Sequence, residues 1–217
     1  MKLFNDHFQN FKRYNIPKAQ LVIADIPYNL GINAYASNSS WYIDGKIANG
    51  ESDKAGKAFF DTDNDFRVAE FMHFCSKMLI KEPKEVGKAP CMIVFCSFQQ
   101  MAPLIELAKR YGLILYRDKL PKFNNDGRMI MSCIDWLYDE KSIPKIHPTQ
   151  KPIKLLEFLI RLFTDAGDVV IDPCAGSGST LVAAENLGRK SYGFEIKKDF
   201  FKSANEILFK RVEKSLF

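Results

Sequence analysis

The chain has 217 residues, of which 47% are hydrophobic, 26% charged and 13% aromatic. At about 150 residues per domain it is expected to form one domain (1–217) with room for an insertion, and a wholly disordered chain is excluded. Lys and Arg number 31 against 26 Asp and Glu, a formal charge of +5 that permits a polyanionic partner without demanding one.

In chain order, short apolar runs alternate with amphipathic stretches, the pattern of an α/β sheet with helices on its faces. A brief run at 2–4 is followed by predicted strands at 21–25, 91–96, 113–116, 168–172 and 191–195. Helices are predicted between and after them at 65–80, 101–111, 152–163, 179–187 and 198–214. The strands are near-continuously hydrophobic, as in a mainly parallel, doubly wound sheet buried on both faces. Pro152 suits the first turn of the third helix, and Gly188 suits the position just past the fourth. Leu155, Leu156, Leu159, Ile160 and Phe163 recur at helical spacing and are expected in the core. Stretches 29–63, with Trp41 and Tyr42, and 118–148 fit neither period, and long loops of this kind are expected to contact substrate.

The five cysteines (Cys75, Cys91, Cys96, Cys133 and Cys174) show no CxxC spacing. Reduced thiols are expected, not a disulfide scaffold or a zinc ribbon, and no metal is called for. The apolar runs fall far below the ~20 residues that span a bilayer, and no targeting leader is read, so the expectation is a cytoplasmic protein without a membrane anchor.

Two motifs carry chemistry. Asp172-Pro-Cys174-Ala-Gly176-Ser-Gly178-Ser-Thr180-Leu181 follows one buried strand and runs into a helix. Glycines there allow a sharp turn and close backbone approach, and the helix start favours electron-rich groups, so a nucleotide-like cofactor is implied. Leu181 stands where the dinucleotide fingerprint has its third glycine, which disfavours an NAD-type oxidoreductase, and no Gly-Lys-Ser/Thr follows to make a Walker loop. Glu195 ends the next strand, where a carboxylate can accept hydrogen bonds from a ribose diol. The second motif, Asp25-Ile26-Pro27-Tyr28, also closes a buried strand. An acid, a rigid proline and an aromatic in succession can accept the N–H bonds of a planar amine and stack on its ring.

Together the two motifs resemble the amino-methyltransferases of DNA, which modify adenine N6 or cytosine N4 with S-adenosylmethionine and occur in phages and restriction-modification systems. With the catalytic motif first and the glycine turn near the C-terminus, the order resembles the permuted β class, and His147-Pro-Thr149-Gln-Lys151-Pro152 resembles a further segment of that class. Asn5-Asp6 resembles the end of the family's first strand, so Asp6 is expected to face the cofactor adenine. The resemblance implies a Rossmann-like methyltransferase fold in which Asp25, Pro27 and Tyr28 are catalytic. It implies that Asp6, Thr149, Lys151, Asp172, Cys174, Gly176, Gly178, Thr180 and Glu195 bind S-adenosylmethionine, with Thr149 and Lys151 at its carboxylate end.

Asp25 and the Pro27 carbonyl would then accept the two amine N–H bonds while Tyr28 stacks on the base, and the target base would flip out of double-stranded DNA. Trp41, Tyr42 or Phe123 would fill the vacated stack, and Lys119, Lys122 and Arg128 would touch phosphates. Asp at position 25 favours adenine N6 over cytosine N4. A DNA-binding relative with a degenerate site and little or no activity, or an N4-cytosine methyltransferase, is the alternative. One departure stands out: Gly112 runs directly into Leu113, where the family has a further strand and a DNA-contacting loop. That absence would leave an open sheet edge for pairing with a second copy as a homodimer.

Overall fold

The computed structural model describes residues 1–29, 65–81, 83, 85–113, 120–130, 139–140, 143–147 and 149–209. Trp41, Tyr42, Lys119 and the predicted strand from residue 114 onward lie outside the described residues. The elements are β1 (Lys2–Phe4), a 3-10 helix (Phe8–Arg13), β2 (Leu21–Asp25), α1 (Val68–Met78), β3 (Cys91–Phe95) and α2 (Phe98–Arg110). They continue with α3 (Ile153–Phe163), β4 (Val169–Asp172), α4 (Ser179–Asn186), β5 (Lys190–Phe194) and α5 (Lys198–Ser203), which passes into a π-helical turn (Ala204–Phe209).

The five strands form a parallel sheet in the order β1-β5-β4-β2-β3. From β4 the chain winds toward β5, and from β2 it winds toward β3, so the winding reverses between β2 and β4. These two strands are direct neighbours, with Leu21 opposite Val170 and Val22 opposite Ile171. β1 and β3 are the edge strands among the described residues.

Each central strand feeds both faces because its side chains alternate. Leu21 and Ile23 of β2 pack with α3 and α4, through Leu156, Ile160, Leu181 and Val182. Val22 and Ala24 point the other way, into Phe71, Met72 and Phe74 of α1 and Leu104 of α2. Phe194 of β5 is 1% exposed. It lies among Phe4, Tyr14 and Phe74, at ring-centroid distances of 5.5, 5.7 and 6.0 Å. The helical repeat of α3 buries Leu155, Leu156, Leu159 and Ile160, while Phe163 is half-buried against the same cluster.

Glycine is required at two points near the strand ends. Gly178 takes φ +78 as the residue before α4, and a Cβ there would lie 2.8 Å from the Phe209 ring. A Cβ on Gly193 would lie 2.8 Å from Leu181 and 3.0 Å from Ala175, so its absence lets β5 and the turn after β4 approach closely.

Candidate active site

A parallel sheet wound in two directions opens a crevice at the carboxyl ends of its strands where the direction reverses. Here a cavity of about 480 Å³ lies at that point, lined by Asp25, Ile26, Pro27 and Tyr28 after β2 and by Asp172 to Ser177 after β4. Glu195 and Ile196 after β5 and His147, Thr149 and Lys151 before α3 complete one side, and His7, Phe8 and Phe66 another. The motifs separated in sequence thus share one crevice.

The turn after β2 is held from several directions. Ile26 is 2% exposed and packs in the core beside Phe71, while its N–H donates to the Phe95 carbonyl at 3.1 Å. The Tyr28 hydroxyl donates to Asp25 Oδ1 at 3.0 Å, and Lys151 Nζ donates to Asp25 Oδ2 at 2.5 Å. Gln100 Nε2 donates to the Pro27 carbonyl at 2.7 Å, and Ser97 Oγ to the Tyr28 carbonyl at 3.3 Å. Ser97 and Gln100 form the capping box of α2, with the Ser97 N–H donating to Gln100 Oε1 at 3.0 Å. The start of α2 therefore grips the β2 turn. Neither residue was singled out from sequence, although Ser-x-x-Gln before an apolar helix is a readable signal. Asn29 and Phe66 exchange two 2.9 Å bonds, Asn29 Nδ2 to the Phe66 carbonyl and Phe66 N–H to Asn29 Oδ1. These bonds tie Asn29 to Phe66, which lines the cavity.

On the β4 and β5 side, Asp172 is almost completely buried and accepts from the Cys174 N–H at 3.0 Å. Burial, with Asp25 and Glu195 nearby, pushes its carboxyl up to about 7 against the pull of hydrogen bonds from Thr180 and Cys174. Glu195 accepts from the Gly176 N–H at 2.9 Å on Oε2 and from the Lys197 N–H at 2.7 Å on Oε1. Burial raises its carboxyl to about 7 as well. Burial also raises Asp25, more than Lys151 and Tyr28 lower it. His147 is driven down to about 4 by burial and by the cations Lys151, Lys197 and Lys145, so it is neutral at pH 7. Its Nδ1 receives the Thr149 N–H at 3.3 Å. Burial and the neighbouring acids hold Cys174 as a neutral thiol.

Several expected residues sit elsewhere. Asp6 does not line the cavity. It ties down the 3-10 helix instead, accepting from the His7 N–H at 2.7 Å, Asn10 Nδ2 at 2.7 Å and the Tyr14 hydroxyl at 2.8 Å. Gly178 starts α4 behind the lining. Lys122 and Phe123 are also outside it: Lys122 Nζ bonds Asp165 at 2.7 Å and Asp168 at 2.9 Å, and Phe123 packs on Phe163 at 5.5 Å. These contacts tie the 120–125 stretch to the end of α3, with Phe123 still 42% exposed, and Arg128 is exposed as well. Lys151 lines the cavity, but its partner there is Asp25.

Fold and crevice together define a doubly wound, Rossmann-like α/β protein with a cavity at the point where the winding reverses. Residues 124–206 match the family described as DNA methylase (N6_N4_Mtase). The chain is 47% identical over 62 residues to the type II methyltransferase M2.DpnII of Streptococcus pneumoniae, covering 29% of this chain and 23% of that protein. It is 38% identical over 95 residues to M2.LlaDCHI of Lactococcus lactis subsp. cremoris, covering 43% of this chain and 35% of that protein. The matches thus span well under half the length of these curated relatives. Among solved structures, the M1.HpyAVI–SAM complex is similar at a TM-score of 0.56 and 20% identity, covering 94% of this chain and 98% of that one. The cytosine-N4-specific PvuII DNA methyltransferase is similar at a TM-score of 0.57 and 16% identity, covering 98% and 89%. These two share the fold of the chain, and the family match lies in its C-terminal part.

Proposed function

We propose that the chain transfers a methyl group from S-adenosylmethionine to the exocyclic N6 of adenine in DNA. The observation that carries this reading is the meeting of Asp25-Ile26-Pro27-Tyr28 and the Asp172–Ser177 turn in one cavity across the β2/β4 switch point. S-adenosylmethionine supplies an electrophilic sulfonium methyl.

The crevice suits that group chemically. Its described lining presents the carboxylates of Asp25, Asp172 and Glu195, which complement a ligand bearing sulfonium and ammonium charges, and Glu195 is oriented by two backbone N–H groups. Phe8, Phe194 and Ile196 add apolar surface for a flat purine. Thr149 and Lys151 stand on the α3 side, where the carboxylate end of the ligand would lie under this reading.

The amine of adenine is a weak nucleophile because its lone pair is delocalised into the ring. Asp25 and the Pro27 carbonyl accept its two N–H bonds and favour a tetrahedral nitrogen, with the lone pair turned toward the methyl. Tyr28 stacks on the base, and holding nitrogen, methyl and sulfur in line supplies much of the rate gain. No covalent enzyme intermediate is required. The target base must leave the duplex at a cost of a few kcal/mol. Trp41, Tyr42 or Phe123 is assigned to the vacated stack, and Arg128 to phosphate contact.

Asp at position 25 supports adenine over cytosine. Incubation of duplex DNA with methyl-labelled S-adenosylmethionine, followed by nucleoside analysis, tests this: label in N6-methyladenine is expected. Label in N4-methylcytosine would replace the base assignment. DNA binding without label in any base would mark a degenerate relative.

A further inference from the structure

Asp25 and Lys151 are 126 residues apart in sequence and meet inside the crevice, with Nζ 2.5 Å from Oδ2 and side-chain exposures of 23% and 14%. The ammonium also lies 5.1 Å from the centroid of the Phe95 ring, on the strand beside β2. The other Asp25 oxygen is taken by the Tyr28 hydroxyl. Such a pair is costly to desolvate, so it fixes one geometry only if its hydrogen bonds are made, as they are here.

The surroundings explain why a cation is needed. Asp172 and Cys174 face the crevice from the end of β4, and Glu195 and Lys197 from the end of β5. His147 joins them from the segment before α3, His7 from the 3-10 helix, and Asp65 from the segment before α1. His147 is neutral and Lys197 bonds through its backbone to Glu195, so Lys151 is the cation seen in contact with Asp25. A carboxylate among other buried acids is driven toward its protonated form, and a protonated carboxyl is a poor acceptor for an amine N–H.

We infer that Lys151 is a positioning residue for Asp25, holding it as a carboxylate turned into the crevice so that it can accept the N–H of an incoming amine. What Asp25 is for rests on the methyl-transfer reading above, whereas the ion pair does not. This role differs from contact with a cofactor carboxylate and makes different predictions.

The test is carboxyl-carbon NMR of Asp25 across a pH titration of the ligand-free protein, wild type against Lys151→Met and Lys151→Arg, with pH–rate profiles in parallel. In Lys151→Met the Asp25 midpoint is expected to rise by about 1–3 pH units, and the acid limb of kcat to move up with it. Lys151→Arg, which keeps the charge, restores both. An unchanged Asp25 midpoint in Lys151→Met overturns the inference, as does a mutant whose only change is a higher KM for S-adenosylmethionine. Should Lys151→Met not fold, Lys151→Gln supplies the same measurement: the Asp25 midpoint must rise above the wild-type value, and an unchanged midpoint refutes the inference. If the midpoints move as expected but no DNA base is methylated, the methyl-transfer reading fails and the ion-pair assignment stands.

Discussion

β4 carries an acid at each end, and the two ends differ sharply. At its amino end Asp168, with Asp165, bonds Lys122, and Asp165 is 55% exposed and held below the usual carboxylate range by Lys122 and Asn124. At its carboxyl end Asp172 is buried beside Asp25 and Glu195, with Lys151 in the same cavity, and all three acids are raised. The residue types are nearly the same at both ends and the two lysines are similarly shielded, at 11% and 14% exposed; the difference lies in the acids, Asp165 standing in solvent and Asp172 almost completely buried. Where water reaches, a Lys–Asp cluster is a clip between segments. Where it does not, the same chemistry leaves acids near their titration point, as a site that must accept protons or bind cations requires.

The largest effect that would sharpen this contrast is on stability. Asp172 and Glu195 have folded-state values near 7 against ordinary values of 3.8 and 4.5. Their protonated forms therefore favour folding: that stabilisation is complete below pH 4 and is lost as pH rises through 7. For Asp172 alone the difference corresponds to roughly 4 kcal/mol. Urea unfolding of the ligand-free protein is expected to show lower stability at about pH 8 than at about pH 5.5, with a shallower slope in Asp172→Asn. S-adenosylmethionine, as a cationic ligand, should bind more tightly over the same rise in pH and release protons, which calorimetry in buffers of different ionisation enthalpy would detect. A flat stability profile would place the two ends of β4 in the same class.

Next in size is Asp25→Ala, expected to lower kcat for methyl transfer by about 10²–10³-fold, the scale of losing one preorganised polar contact to the reacting group. Circular dichroism should show the fold retained, with a lowered unfolding midpoint because Lys151 loses its partner. Gln100→Ala removes the bond to the Pro27 carbonyl and loosens the β2 turn; a loss of about 1 kcal/mol, near fivefold in kcat, is expected with little change in S-adenosylmethionine affinity. The smallest effect belongs to the amino end of β4. Lys122→Met should cost about 1 kcal/mol of stability or less and leave methyl transfer intact. A large catalytic loss there would break the comparison.

Much of this arrangement could be read from the sequence where a local rule governs. Leu21–Asp25 falls where its apolar run places it, and β4 starts one residue inside its predicted span, because strands buried on both faces cannot tolerate polar interruption. Gly188, at φ +73, follows α4 as its position suggests. The start of α2 lies three residues before the periodicity indicates, because the capping box and not the apolar stripe fixes it. The 3-10 helix at Phe8–Arg13 has no helical period to reveal it and is made by Asp6 and His7 bonding nearby N–H groups. The last helix changes to a π-helical turn where Ala204 and Phe209 pack against Gly178. Partner choice was least legible. Lys151 to Asp25, Gln100 to Pro27 and Lys122 to Asp165 all join segments far apart in sequence, so only the folded sheet brings them together.

The account stands most directly on the fate of a labelled methyl group. Duplex DNA of varied sequence, incubated with methyl-labelled S-adenosylmethionine and then digested to nucleosides, is expected to yield label in N6-methyladenine with the wild-type chain and almost none with Asp25→Ala. Failure of the wild-type chain to label any base while it binds S-adenosylmethionine, or undiminished labelling by Asp25→Ala, would contradict it.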